Sequence, residues 1–434
     1  MTIINVSNSA QLQSALDRAA GGDTIVLAGG NYGTTNIANK HFSAGVTIKS
    51  ASLSNRAHFD YLGISRSSNL NFEGLDVGHA RRHGENESTH YSRVTDSDHI
   101  RMVGMSFHGS LDNNPANDGI GLNVTNSDHF QLMGSTFRDL YRGAFFQRDE
   151  DLTVASNSFQ SIRTDGVNFG TVNGVVIDKN SFTDFHPARG DHADAIQFWL
   201  TGQPHGSSDI VITNNTIMQG SGVGVQGIFI SDPKQFDYKN VRIENNLIYG
   251  NDQYHGIFLN GVHGAQVIGN TLLSRSNDHK MMWIDLHNGS NFVVKDNLAD
   301  TIVVKPGATG VSMSHNASLD DAAWIRSLIP NLNAPRTVHD LIIDDYGYQV
   351  PGATHSGIAP VASVLGESIS NAIDPHGATS STISKVAVAE PAPVMPSMAE
   401  IFPVAAHHPA AIGGYGMPIQ PLFRVQIDHF VALP

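Results

Sequence analysis

An asparagine leading a short polar-to-apolar step recurs through the middle of this chain. Its members are Asn157-Ser158-Phe159, Asn180-Ser181-Phe182, Asn215-Thr216-Ile217, Asn246-Leu247-Ile248, Asn270-Thr271-Leu272 and Asn297-Leu298-Ala299. The intervals are 23, 35, 31, 24 and 27 residues. Val103-Gly104-Met105-Ser106-Phe107 and Met133-Gly134-Ser135-Thr136-Phe137 read as earlier members. Short alternating runs such as Leu152-Thr153-Val154 and Val175-Val176-Ile177 precede the asparagines, and a period of two means strands. A coil of about 22 to 25 residues is too short for a strand–helix–strand unit or a propeller blade, and the leucine-rich frame is absent. It fits a parallel β-helix, an all-β solenoid in which each coil pairs with its neighbours about 4.8 Å away. The asparagines are then expected to stack in one turn column.

A second ladder follows each asparagine, from Gly119-Ile120-Gly121-Leu122 through Gly143, Gly166, Ala195, Gly227 and Gly256 to Trp283-Ile284-Asp285-Leu286. In register it predicts two inward columns. One holds Ile120, Ala144, Val167, Ile196, Ile228, Ile257 and Ile284; the other holds Leu122, Phe146, Phe169, Phe198, Ile230, Leu259 and Leu286. The residues just before the ladder, Asp118, Arg142, Asp165, Asp194, Gln226, His255 and Met282, are expected to face outward. The same outward face is expected to carry Asn168, Gln197, Phe229, Phe258, Asp285, Trp199 and His287.

Three regions emerge: a cap over residues 1–22, the β-helix catalytic domain over 23–330, and an irregular extension over 331–434 rich in proline, alanine and histidine. Residues 9–20 are amphipathic with a serine start and stop at Gly21-Gly22, so a single-stranded solenoid capped by a helix is expected. Residues 319–328 are a second helix candidate. The 434 residues include no cysteine, which excludes disulfides, thiolate metal sites and a cysteine nucleophile. A net charge of −14 argues against nucleic acid, and no apolar run is long enough to span a membrane. Residues 1–13 show no signal-peptide pattern, which leaves an intracellular protein, a cleaved signal or another export route.

The segment Ala15-Leu16-Asp17-Arg18-Ala19-Ala20-Gly21-Gly22-Asp23-Thr24-Ile25-Val26-Leu27, with Gly29-Gly30-Asn31-Tyr32, resembles the opening of right-handed parallel β-helix carbohydrate-active enzymes. It is similar to the alginate lyase and chondroitinase B group, polysaccharide lyase family six. Together with the coils, the resemblance covers about residues 1–330. It implies a monomeric lyase, extracellular or periplasmic, acting on an acidic polysaccharide. It also implies calcium held by acidic and amide side chains, with Lys and Arg as the acid–base groups. Here Gln226 stands where an acidic ligand is wanted and His255 where an arginine is.

The richest stretch is residues 185–199, which includes Arg189, Asp191, His192, Asp194, Gln197 and Trp199. Asp165 and Asp194 are expected about one rung apart, where two carboxylates repel unless a proton or cation sits between them. They either bond turn amides or, with Asp191, offer oxygen ligands to calcium. Lyase chemistry needs the uronate carboxylate neutralised and a base for the C5 proton. The catalytic candidates are Lys234, His255, His192, Tyr254 and Arg163; His279, Lys280 and His287 extend the same face. Trp199, Gln197, Asn168, Arg142, Arg189 and Gln226 are the candidates for holding sugar, and the surrounding arginines favour an anionic one. A hydrolase or epimerase would use Asp165 with Asp194, or Asp118 with Asp165 for inversion. A non-catalytic glycan binder would keep the groove and need no base.

Overall fold

Six buried asparagines and a seventh, part-buried one form a continuous hydrogen-bonded column down the molecule. The N–H and Nδ2 of Asn157 both donate to Asn180 Oδ1, at 2.9 and 3.0 Å. The same pair of bonds links Asn180 to Asn215, Asn215 to Asn246, Asn246 to Asn270, Asn270 to Asn297 and Asn297 to Asn316. Ser135 N–H donates to Asn157, and Met105 N–H to Ser135 Oγ, so both weaker members belong to the column. The residue before each member turns the corner in the left-handed region. Gly104, Gly134, Ser156, Lys179, Asn214, Asn245, Gly269 and Asp296 all have φ between 55° and 63°. That turn leaves a backbone N–H facing the next rung, and the asparagine oxygen accepts it.

The structure is a computed structural model. It describes residues 1–351 except 201, 232–236, 251–254, 276–280, 320–336 and 344–345. Lys234, Tyr254, His279 and Lys280, the second helix beyond 319, and the chain after 351 lie outside the described residues. Strands of successive coils pair in parallel, giving one sheet of 22 described strands and one of 12. The glycine ladder marks close approach between rungs. A Cβ at Gly143 would stand 2.3 Å from the Gly166 carbonyl oxygen, and one at Gly227 would stand 2.2 Å from that of Gly256.

The core is a stack of like on like. Phe107, Phe137, Phe159 and Phe182 lie face to face at 4.6 to 4.9 Å, and Phe146, Phe169 and Phe198 form a second stack. Each contributes dispersion and apolar burial at once. The inward columns fall where the ladder placed them from Ala144 onward. The first coil does not: Leu122, not Ile120, pairs with Ala144, and Val124 pairs with Phe146. The Asp118 coil therefore slips by two residues, which preserves the in–out alternation.

The capping helix spans Ser9–Arg18 and buries Leu12, Ala15 and Leu16. Its cap is Asn8, whose side chain accepts the Gln11 N–H, rather than a serine. It ends before Gly21 because the Asp23 carboxylate takes the Ala20 N–H at 3.0 Å and the Thr2 N–H at 2.6 Å. A strand Ile3–Val6 precedes the helix and pairs with Thr24–Leu27, so the first rung begins within the cap region.

Candidate active site

The strand Asp194–Trp199 sends Ala195, Ile196 and Phe198 into the core and turns Gln197 and Trp199 outward, while the Asp194 carboxylate is buried beneath His192 and Gln197. Asp118, Asp165, Asp194, Gln226 and Met282 are all buried, so the row expected to face outward is for the most part not exposed. Of that row only Arg142 and His255 stay half-exposed.

These buried acids support a surface network. Asp165 Oδ2 accepts from Arg142 Nε at 3.2 Å and Asn168 Nδ2 at 3.1 Å, and Asp165 Oδ1 accepts the Asp194 N–H at 3.2 Å. Gln197 Nε2 donates to Asp194 Oδ2 at 2.6 Å, and Asn168 Nδ2 donates to Gln197 Oε1. His192 Nδ1 donates to the same Asp194 oxygen at 2.9 Å. The Gln226 amide lies 3.0 Å from His192 Nε2. Seven of the sequence candidates therefore form one chain across four rungs: Arg142, Asp165, Asn168, Gln197, Asp194, His192 and Gln226.

Burial pushes Asp194 up, and its charge in turn raises His192 to about 9. The shared proton rests on the imidazole, because half of that side chain reaches solvent while the carboxylate has none. A cationic ring has two N–H donors, so the Gln226 amide must present its oxygen to Nε2, an orientation reached by an amide flip. His192 is then a fixed cation with both N–H groups engaged.

His255 is built the opposite way. Burial, with help from the His287 and His192 charges, lowers it to about 4, although Asp285 opposes this. Its Nδ1 is 3.4 Å from Asp285 Oδ2, and His287 Nε2 is 3.0 Å from Asp285 Oδ1. The backbone at His255 has φ of 61°, in the left-handed region that other corners of this solenoid also adopt. Register places His255 beside Gln226, since Ile228 pairs with Ile257. One rung carries the cation's contact and the next carries a neutral imidazole. In the sequence Asp285 is only one member of a row; nothing in its spacing marks it as the partner of two histidines.

The floor beside these groups is aromatic. Phe229 and Phe258 stack at 4.9 Å, Trp199 lies 6.3 Å from Phe229, and His192 meets Phe229 edge-on. His255 and His287 both lean on Phe258. Arg163 is elsewhere engaged: it donates to Asp191 at 2.9 Å and stands over the Tyr141 ring. Arg189 is exposed on the preceding loop. Asp165, Asp191 and Asp194 do not converge as a ligand group, because Asp191 is taken by Arg163 and the Ala188 N–H while the other two serve the network.

The same outward row runs on in continuous register: Arg93, Asn123, Phe145, Asn168, Gln197, Phe229, Phe258 and Asp285. At its far end a cavity of about 460 Å³ is lined by Tyr61, Arg66, Arg93, Asn126 and Arg148. All three arginines are exposed. Of these, only Arg148 stands out in the sequence as part of the cationic surround.

Residues 93–277 match the family model described as a right-handed β-helix region. The chain carries a right-handed parallel β-helix. No curated protein matches it significantly. Among solved structures it is similar to an alginate lyase from Paenibacillus sp. str. FPU-7, with 18% identity, 73% of this chain and 99% of that one covered, and a TM-score of 0.42. It is also similar to the PL6 family polysaccharide lyase Pedsa3628 from Pseudopedobacter saltans, at 13%, with 79% and 98% covered and a TM-score of 0.45. The Streptococcus pneumoniae surface protein and adhesin PfbA matches at 11%, with 71% and 94% covered and a TM-score of 0.44. At these identities the likeness is one of fold and assigns no activity to this chain. Among the described residues no helix is long and apolar enough to cross a membrane.

Proposed function

We propose that this face cleaves a uronate-containing, acidic polysaccharide by β-elimination. The observation that carries the reading is a pair of histidines in opposite settings above an aromatic floor: His192, with Nδ1 2.9 Å from the buried Asp194 carboxylate that raises it, and His255, which burial against Phe258 lowers. The His192 cation faces the sugar carboxylate and offsets the charge that develops there when the C5 proton leaves, the task for which calcium was expected. With Nδ1 turned to Asp285, His255 takes that proton through Nε2, and Asp285 stabilises the imidazolium formed. The C5–H electrons become the C4=C5 double bond, the C4–O4 bond breaks, and His255 returns its proton to the departing O4. The base is thereby restored.

The carboxylate-pair alternative has less support. Asp118 and Asp194 have no exposed surface and Asp165 almost none, so none is placed to touch a glycosidic oxygen or a water on a sugar. Incubation with a panel of acidic bacterial and plant glycans tests the reading. Products absorbing in the ultraviolet as 4,5-unsaturated uronates are expected. New reducing ends without that absorbance would assign a hydrolase, and binding without cleavage would assign a glycan-binding β-helix.

A further inference from the structure

On the other sheet, three successive strands, Ala57–Phe59, Asp76–Gly78 and Ser106–His108, each contribute one side chain to a single point. His58 Nδ1 is 2.7 Å from Asp76 Oδ2, and His108 Nε2 is 3.2 Å from the same oxygen. The two imidazole rings lie 6.0 Å apart and nearly parallel, with the carboxylate serving both. All three side chains keep some solvent exposure, at 27%, 22% and 15% for His58, Asp76 and His108, so an ion can reach them.

The outer contacts offer each ring an acceptor for a proton on its far nitrogen. His108 Nδ1 is 2.7 Å from the Gly109 carbonyl oxygen, which can only accept. A neutral His108 ring therefore has its lone pair on Nε2, aimed at Asp76. His58 Nε2 is 3.3 Å from Asp60 Oδ1, and Asp60 is in turn held by Arg82 at 2.8 Å. A neutral His58 with its proton on that nitrogen likewise aims its Nδ1 lone pair at Asp76. Two imidazole lone pairs and a carboxylate oxygen then converge, each backed by a carbonyl or carboxylate on the far nitrogen. That is the arrangement by which metal-binding histidines are oriented. Ligand atoms at about 2.0 to 2.2 Å from a tetrahedral ion stand roughly 3.3 to 3.5 Å apart, close to the 3.2 Å separation on the His108 side and wider than the 2.7 Å one on the His58 side, which would open to admit the ion.

The geometry points to a divalent metal site at His58, Asp76 and His108, suited to zinc or another borderline cation that takes nitrogen and carboxylate ligands together. It is separate from the proposed catalytic face and ties three adjacent rungs near the capped end. The ion is a clip between coils, with one or more positions left for water.

The test uses the full chain without a histidine tag, stripped with chelator and titrated calorimetrically with zinc chloride. Cobalt(II) absorption in the visible reports coordination geometry. A second group, Asp98, His99 and His129, is more exposed and serves as the internal control. One zinc per chain is expected at the inner site, with affinity lowered at least tenfold in His108→Gln and in Asp76→Asn and unchanged in His129→Gln. Asp60→Asn, which leaves all three ligands in place, should weaken binding by about 10- to 100-fold through orientation alone. Zinc should also raise the thermal midpoint of the wild type and of His129→Gln but not of His108→Gln. Circular dichroism shows whether each variant is folded, and Asp60→Asn decides the question if the ligand variants are not. Absence of zinc binding by the wild type overturns the proposal. So does binding that survives His108→Gln and Asp60→Asn but is lost in His129→Gln.

Discussion

His192 and Asp194 stand two residues apart, yet one imidazole is half in solvent while its carboxylate partner, 2.9 Å away, has no solvent contact. The strand begins at Asp194, and His192 lies on the loop that folds back over its carboxylate. A buried charge this close to the surface is stable only with its counter-charge beside it. The pair delivers a permanent cation to the groove without relying on a solvated lysine, which would be free to swing away.

A pH profile follows from that pair and from His255. Activity requires His255 deprotonated, so kcat/KM should rise as pH climbs through about 4. It also requires His192 charged, so kcat/KM should fall as pH climbs through about 9. Asp194→Asn removes the charge that raises His192, and the alkaline limb should move down towards the ordinary histidine value near 6.5. An alkaline limb that stays in place in that variant would show that another group sets it.

His255→Gln should lower kcat by about 10²- to 10⁴-fold with little change in KM, as expected for loss of a proton-transfer group. Asp285→Asn should produce part of that loss, since it no longer stabilises the imidazolium but leaves the base in place. Equal losses in kcat and binding for His255→Gln would mean that His255 only positions the sugar. Steady-state kinetics on the cleaved glycan separates the two.

Much of this architecture is legible in the sequence, and the boundary has physical causes. The asparagine column and phenylalanine stacks repeat because parallel coils place like residues on like, so periodicity alone reveals them. The slip at Leu122 and Ala144 is invisible in sequence, because a shift of two keeps every side chain on its own face. Asp165 and Asp194 read as surface acids because an aspartate among polar neighbours looks solvated, and the side chains that cover them, Arg142, Asn168, Gln197 and His192, come together only in the fold. The joint service of Asp76 to His58 and His108 has no spacing signature at all, since its members come from three coils of unequal length.

The row from Arg93 to Asp285 crosses seven rung steps, or about 34 Å at the spacing of paired strands. A long polymer seated on His192 and His255 should therefore reach the arginine-lined cavity, where Arg93 and Arg148 meet its carboxylates. Arg93→Ala should raise KM for the polymer several-fold at unchanged kcat, with a weaker salt dependence of binding. The same variant should behave as wild type on oligosaccharides too short to span the distance. Trp199→Ala should raise KM for both lengths, because it adjoins the site itself. A uniform effect of Arg93→Ala on short and long substrates would detach the cavity from the groove.

Stability should depend sharply on position along the asparagine column. Asn215 is fully buried; its Nδ2 donates to the Ile177 carbonyl at 2.9 Å and to Asn246 Oδ1 at 2.9 Å, while its Oδ1 accepts the N–H and Nδ2 of Asn180. Asn215→Ala removes four bonds and leaves two backbone groups, the Asn180 N–H and the Ile177 C=O, without those partners in the dry interior. Each such group costs on the order of 1–3 kcal/mol, so a loss of about 3–5 kcal/mol is expected. Asn316, at the last rung, also bonds both a carbonyl and the preceding asparagine, but it is only part-buried. Water can take over its partners, and Asn316→Ala should cost about 1–2 kcal/mol. Urea unfolding followed by circular dichroism measures both. Equal midpoints for the two variants would mean that the column's bonds are replaceable everywhere, and that stacking of the core rings alone holds the coils in register.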